Sequence, residues 1–243
     1  MKTKWGISGS VLKWFAVITM VIDHFGASVL ETYVMNVWGR SPLGNLFSDH
    51  WNELLRVDRI LRYIGRPAFP IFCFLLVEGF LHTRDVKKYA MRLGIFALIS
   101  EIPFDLAVRG KFFDWQYQNV YVTLLLGLLT IWALKTQKDV WYLRLAIAAA
   151  GCALGELVHC DYGAMGVALI VVLYLMRESR FQQCITGAIC TYWELPAPLA
   201  FIPIWFYNGE RGRQPKWFFY WFYPVHLLIY GVIGSWILPE ILL

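Results

Sequence analysis

Asp23 and His24 stand side by side in MVIDHFG, residues 20 to 26, inside an apolar run from Val11 to Leu30. A neutral imidazole there can accept a proton from an amine or a hydroxyl, or carry an acyl group transiently as a nucleophile. Successive helical residues point about 100° apart, so Asp23 cannot orient the neighbouring imidazole. It needs an Arg or Asn from another segment. Arg59, Arg62 and Arg66 follow at intervals of three and four and share a helix face, as do Glu101 and Asp105 four apart. Asn119 and Thr123 open a further apolar segment. Glu156, His159, Asp161 and Tyr162 surround a turn, Glu194 ends another segment, and His226 follows YPV near the C-terminus. The arginines can hold an anion or pair with the carboxylates. The sequence contains no Walker loop, GxSxG elbow, HExxH or GxGxxG. Its five cysteines, Cys73, Cys152, Cys160, Cys184 and Cys190, form no CxxC pair and read as small hydrophobes, so no metal site is assigned.

These groups sit in an unusually apolar chain. Of the 243 residues, 58% are hydrophobic and only 16% charged, against about a quarter charged in soluble domains. Mean hydropathy is +0.52. We expect an all-α, polytopic transmembrane bundle forming a single integral membrane domain over 1–243. About nine spans are expected, over 11–30, 64–82, 89–108, 120–134, 142–158, 162–176, 181–194, 196–207 and 217–238. The polar segment 31–58 is expected to be an extracytoplasmic loop with a short helix. With the N-terminus cytoplasmic, 15 of the 22 Lys and Arg fall on the inner side, Lys2, Lys4 and Lys138 among them, and seven, including Arg40, on the outer. That asymmetry favours this orientation. The run WFFYWFY, 217 to 223, directly follows Lys216 and suits an interfacial belt. The basic N-terminus has a signal-like core, but Asp23 and His24 interrupt it, so it reads as a retained first span. Net charge of +5 is accounted for by topology and lipid headgroups, not nucleic acid.

Charge at the bilayer centre costs at least about 2.5 kcal/mol, so ionisable groups there face the bundle interior and mark function. In this topology the polar groups above share one depth, towards the outside. The expectation is a polar cavity near the midplane, belonging to a membrane enzyme or to a transporter of an ion or small solute. Basic residues on the inner face can hold the phosphates of a cytoplasmic donor.

Four stretches resemble one family together: KWFAVITMVIDHFG (13–26), IGRPAFPIFCFLLVEGFLHTRDVKKYAMRLGIFALISEIPFDL (64–106), QNVYVTLLLGLL (118–129) and WFFYWFYPVHLLIYGVI (217–233). In order and spacing they are similar to the TraX family of bacterial integral membrane proteins. The resemblance implies a multi-pass inner-membrane acetyltransferase taking its acetyl group from acetyl-CoA. The acceptor would be a peptide amine, glycan or small molecule at the membrane or its outer side. On that reading His24 is the base or acyl carrier, and Arg66 and Asn119 stabilise the oxyanion. Asp23, Glu101 and Asp105 set local charge and hold the arginines. Arg62, Thr123, Asp161, Tyr162 and His226 complete the cavity. Arg84, Lys87, Lys88, Arg92, Arg211, Arg213 and Lys216 meet the phosphates of CoA.

Overall fold

The computed structural model describes residues 6–39, 48–137, 140–213 and 215–242, which are helical with no β-strand. Helix α1 (Gly9–His24) widens without a break into a π-helical segment, Phe25–Trp38. Helices α2 (Trp51–Gly65) and α3 (Ala68–His82) follow, joined by a turn at Arg66 and Pro67. Next come α4 (Val86–Phe104), a π turn over Asp105–Arg109, α5 (Val120–Thr136), α6 (Trp141–Leu157), α7 (Gly163–Leu175) and α8 (Arg180–Cys190). The short α9 (Phe201–Trp205) precedes α10 (Lys216–Val232), a π turn (Ile233–Ile237) and α11 (Leu238–Leu242).

Local chemistry sets several of these boundaries. The Asp85 carboxylate accepts from Lys88 N at 3.0 Å at the start of α4. That N–H also holds the Asp85 carboxyl below its ordinary range. Asn119 caps α5 by accepting from Tyr121 N, and Ser179 caps α8 by accepting from Gln182 N. Pro103 removes a ladder donor near the end of α4. The π turn after it stops at Gly110, whose φ of 64° is the left-handed conformation glycine adopts without strain.

Among the described residues three helical stretches are long and apolar enough to cross a membrane: Gly9–Trp38 (30 residues), Trp51–His82 (32) and Trp217–Ile241 (25). Val120–Thr136 and Gly163–Leu175 are apolar but shorter. All nine segments expected as spans contain helix, yet α8 has only 11 residues and 196–207 holds two short helices, Ala197–Ala200 and α9. The polar stretch 31–58 differs from a loop with a short helix. Residues 31–38 continue the first helix and 51–58 begin α2, while Arg40 lies outside the described residues, as do Lys2, Lys4 and Lys138. The surface is oily. Leu98 is 81% exposed, Trp141 75% and Leu157 73%, an arrangement suited to acyl chains rather than water.

Two compact units make up the chain. One contains 1–16, 67–98 and 115–214; the other contains 17–66, 99–114 and 215–243. In the first, α7 packs against α3, α5, α6 and α8. Glycines permit the close approach: Gly127 receives Ile170, and Gly166 faces Thr123 and Phe69. In the second, α10 and all three π segments pack on one another, and α2 packs against Phe25–Trp38. A side chain at Gly65 would collide with Asp23, and one at Gly26 would lie 3.1 Å from Asp58 Oδ1 and 3.2 Å from Leu61 Cβ. These two glycines let the helices approach at the level of the Asp–His pair.

Replacing Gly65 with Val should therefore destabilise the protein by about 1–3 kcal/mol, the usual cost of overpacking. Unfolding of purified protein in detergent measures it, with Gly94→Ala, which meets only Leu125 Cδ2 at 3.7 Å, as the mild control.

Candidate functional site

The second unit places a buried ion pair beside a pair of histidines. Asp23 is 9% exposed, and its Oδ2 accepts from Arg62 Nη1 at 2.5 Å. The same nitrogen lies 3.5 Å from the Asp23 carbonyl oxygen, and Arg62 Nε is 3.9 Å from Glu31 Oε2. Arg66 and Asp58 act electrostatically on the same carboxylate. Oδ1 of Asp23 and Oδ1 of Asp58 are both buried without a hydrogen-bond partner. Asp58 and Arg62 are one helical turn apart on α2, so one face presents an acid and a base to α1 and its π extension. Asp23 thus has its partner on another helix, as the 100° rule requires, and that partner is Arg62.

On the adjacent side of α1, His24 Nδ1 lies 2.6 Å from His226 Nε2. The rings are nearly parallel, 4° apart, with centroids 5.0 Å apart. His226 is 6% exposed, and its Nδ1 lies 2.7 Å from the Phe222 carbonyl oxygen. Phe222 stacks on the His226 ring at 5.0 Å, and Tyr223 and Tyr230 meet it edge-on, each at 5.8 Å. Tyr223 also meets the His24 ring edge-on. Tyr230 donates to the Val21 carbonyl at 3.2 Å, tying α10 to α1 one turn before His24. The π segment begins at Phe25, directly after His24. Such widenings occur often at functional sites.

The other expected site residues divide between the units. Glu101 and Asp105 belong to the unit of His24. Asp105 is fully buried and braces a loop: its Oδ2 accepts from Asp114 N at 2.7 Å. Asp114 in turn pairs with Lys111 at 3.1 Å and Arg109 at 3.4 Å. Asp105 therefore supports its own loop rather than holding Arg62 or Arg66. Asn119, Thr123, Asp161 and Tyr162 lie in the first unit. Asn119 is fully buried as the cap of α5, and its Nδ2 donates to the Ala97 carbonyl at 2.8 Å. These bonds build its amide into the fold at the start of α5. Thr123 donates to the Asp161 carbonyl, Tyr117 donates to Asp161 Oδ1 at 3.0 Å, and Tyr162 stacks on Phe69 with centroids 3.6 Å apart. His159 and Tyr162 in that turn have positive φ.

The basic residues expected to meet phosphates all lie in the first unit except Lys216. Lys88 pairs with Asp85 at 3.4 Å, and Arg92 lies over the Tyr89 ring. Arg84 and Lys87 are exposed beside them. Arg211 and Arg213 are exposed on a strand-like strap laid along the start of α1, where Gly9 N donates to Glu210 O at 2.8 Å and Ser10 Oγ to Arg213 O at 2.6 Å.

Sequence reasoning missed Asp58, Glu31, Tyr223 and Tyr230. A signal was present. Tyr223, His226 and Tyr230 recur at helical spacing, as do Asp58 and Arg62.

Breaking the ion pair from one side tests this description. Arg62→Ala leaves a buried carboxylate uncompensated and should cost about 3–5 kcal/mol, whereas Asp23→Asn combined with Arg62→Gln should recover much of the loss. Equilibrium unfolding of the single and double variants measures both.

Residues 8–234 match the family model described as TraX protein, a stretch running from the start of α1 to the π turn after α10. A probable fimbrial assembly protein FimC, serogroup H1, of Dichelobacter nodosus is 29% identical over 249 residues, covering 90% of this chain and 92% of that protein. No solved structure matches. With its family model spanning both halves of the histidine pair and the whole of the ion-pair cluster, this helical membrane protein belongs to the TraX family.

Proposed function

We propose that the protein is a multi-pass membrane acyltransferase, moving an acetyl group from cytoplasmic acetyl-CoA to an amine or hydroxyl at the membrane or its outer side. The observation that carries this reading is His24, a partly buried imidazole fixed by a second histidine and bearing no hydrogen bond on Nε2 among the described residues. A ring so held is suited to general-base work, because its orientation is set before a substrate arrives.

In this reading the acceptor nitrogen or oxygen attacks the thioester carbonyl carbon, and its proton passes to His24 as the new C–N or C–O bond forms. The carbonyl electron pair moves onto oxygen. When the tetrahedral species collapses the C–S bond breaks, and the departing thiolate of CoA takes the proton back from His24. Atoms and charge balance over the cycle. On this reading Arg66, in the same unit, is the candidate for stabilising the oxyanion. Arg62 is engaged by Asp23, so it holds the helices and sets the local field. Arg211 and Arg213 on the exposed strap, with Arg84, Lys87, Lys88 and Arg92, are the candidates for the phosphates of CoA. The acceptor is a component of fimbrial or pilus assembly on this reading, since the curated relative is named a fimbrial assembly protein. On this reading the site lies in the inner membrane with the N-terminus in the cytoplasm, the orientation that the Lys and Arg asymmetry favours.

His24→Ala should abolish acetyl transfer from radiolabelled acetyl-CoA to membrane acceptors while leaving a folded protein. Purified wild type should also be thermally stabilised by CoA, as a ligand binding the folded state requires, and Arg211→Ala with Arg213→Ala should weaken that shift. Undiminished transfer by His24→Ala would remove His24 from the chemistry. Solute flux in liposomes without any CoA-dependent shift would replace the acyltransferase reading with transport.

A further inference from the structure

The hydrogen bonds around the two histidines have a direction. The Phe222 carbonyl oxygen can only accept, so His226 Nδ1, 2.7 Å away, carries a hydrogen. A second hydrogen on His226 would make it a cation, in a position 6% exposed and enclosed by Phe222, Tyr223 and Tyr230. A charge held there without a carboxylate is strongly disfavoured. His226 Nε2 is therefore a lone pair. His24 Nδ1, 2.6 Å from it, must donate. In the neutral His24 ring the hydrogen is then on Nδ1, and Nε2 is left as the free lone pair.

From this we infer that His226 is a positioning residue that fixes the tautomer of His24, making His24 Nε2 the atom that takes the acceptor proton, while His226 is itself held in one tautomer by the Phe222 carbonyl. The inference rests on the acyltransferase reading for the word "acceptor", but the hydrogen-bond direction stands independently of it. When Nε2 takes a proton, His24 becomes an imidazolium whose Nδ1–H bond to His226 is charge-assisted and stronger. His226, anchored by the backbone carbonyl, thereby plays the orienting part that a carboxylate plays in hydrolytic triads. The fold explains why the partner comes from α10: Tyr230 fastens that helix to Val21, Gly231 lets it approach Leu106 closely, and Gly234 in the π turn after it lets the chain approach Tyr33.

Two experiments test the inference. In wild-type protein labelled with 15N-histidine, nuclear magnetic resonance should show unprotonated Nε2 and protonated Nδ1 for both His24 and His226. Protonated Nε2 on His24 would overturn the inference whether or not the protein transfers acyl groups. In turnover, His226→Leu removes the acceptor and should lower kcat by about 100-fold with KM changed less than about threefold, a loss within the range of general-base effects. His226→Gln restores an acceptor oxygen and should recover at least about tenfold of that. Equal activity of the two variants, both impaired or both normal, would overturn the role of the His226 acceptor. If His226→Leu does not fold, the wild-type spectrum decides alone. If wild type shows no transfer but has the expected tautomers, the acyltransferase reading fails and the directed histidine pair survives.

Discussion

Arg62 reaching Asp23 at 2.5 Å is the contact on which the histidine-bearing unit depends. An aspartate within an apolar helix has to be neutralised by a group from elsewhere, and the cost of leaving it bare selects a close helix–helix crossing. Gly26 and Gly65 make that crossing possible, since larger residues there would strike α2 and Asp23 respectively. With α2 seated against α1 at Asp23, α10 supplies the partner of His24. The ion pair and the imidazole pair are thus two consequences of one adjacent DH dipeptide, directed about 100° apart by helical geometry.

The polar groups are sorted by task rather than gathered indiscriminately. Asp105 and Asp114 brace the 105–114 loop, with Lys111 and Arg109 as counter-charges. Asn119 starts α5, and Thr123 and Asp161 secure the turn before α7. Their burial is a folding matter, since unmet polar groups in an apolar interior are costly. His24 differs in kind. One ring nitrogen is committed to His226, and the other is left for something outside the described hydrogen bonds.

Membrane character and family membership reinforce each other physically. Three helical stretches of 25 to 32 residues, with large exposed side chains such as Ile18, Ile60 and Trp236, need an apolar solvent. The π segments are confined, among the described residues, to the unit that holds His24, and they contact α10 or one another. A wider helix reorients side chains after the transition, so the residues following His24 leave the register that precedes it.

The sequence alone determined the all-helical class, the membrane setting, the family and the prominence of Asp23 and His24, because composition and the energetic oddity of charge in an apolar run are local properties. It also required a distant partner for Asp23. Which arginine answers was decided by tertiary structure, since Arg59, Arg62 and Arg66 share a helix face and only packing at Gly65 brings Arg62 into register. The same holds for His24 and His226, 202 residues apart in the chain, and for the assignment of Asn119 and Asp105 to scaffold positions. The true reach of the first helix, through residues written in polar letters such as Glu31 and Asn36, was likewise hidden, because their neighbours in space and not in sequence make a helical path favourable there. Long-range contacts carry no signature in a single chain's spacing; they are fixed only when helices meet.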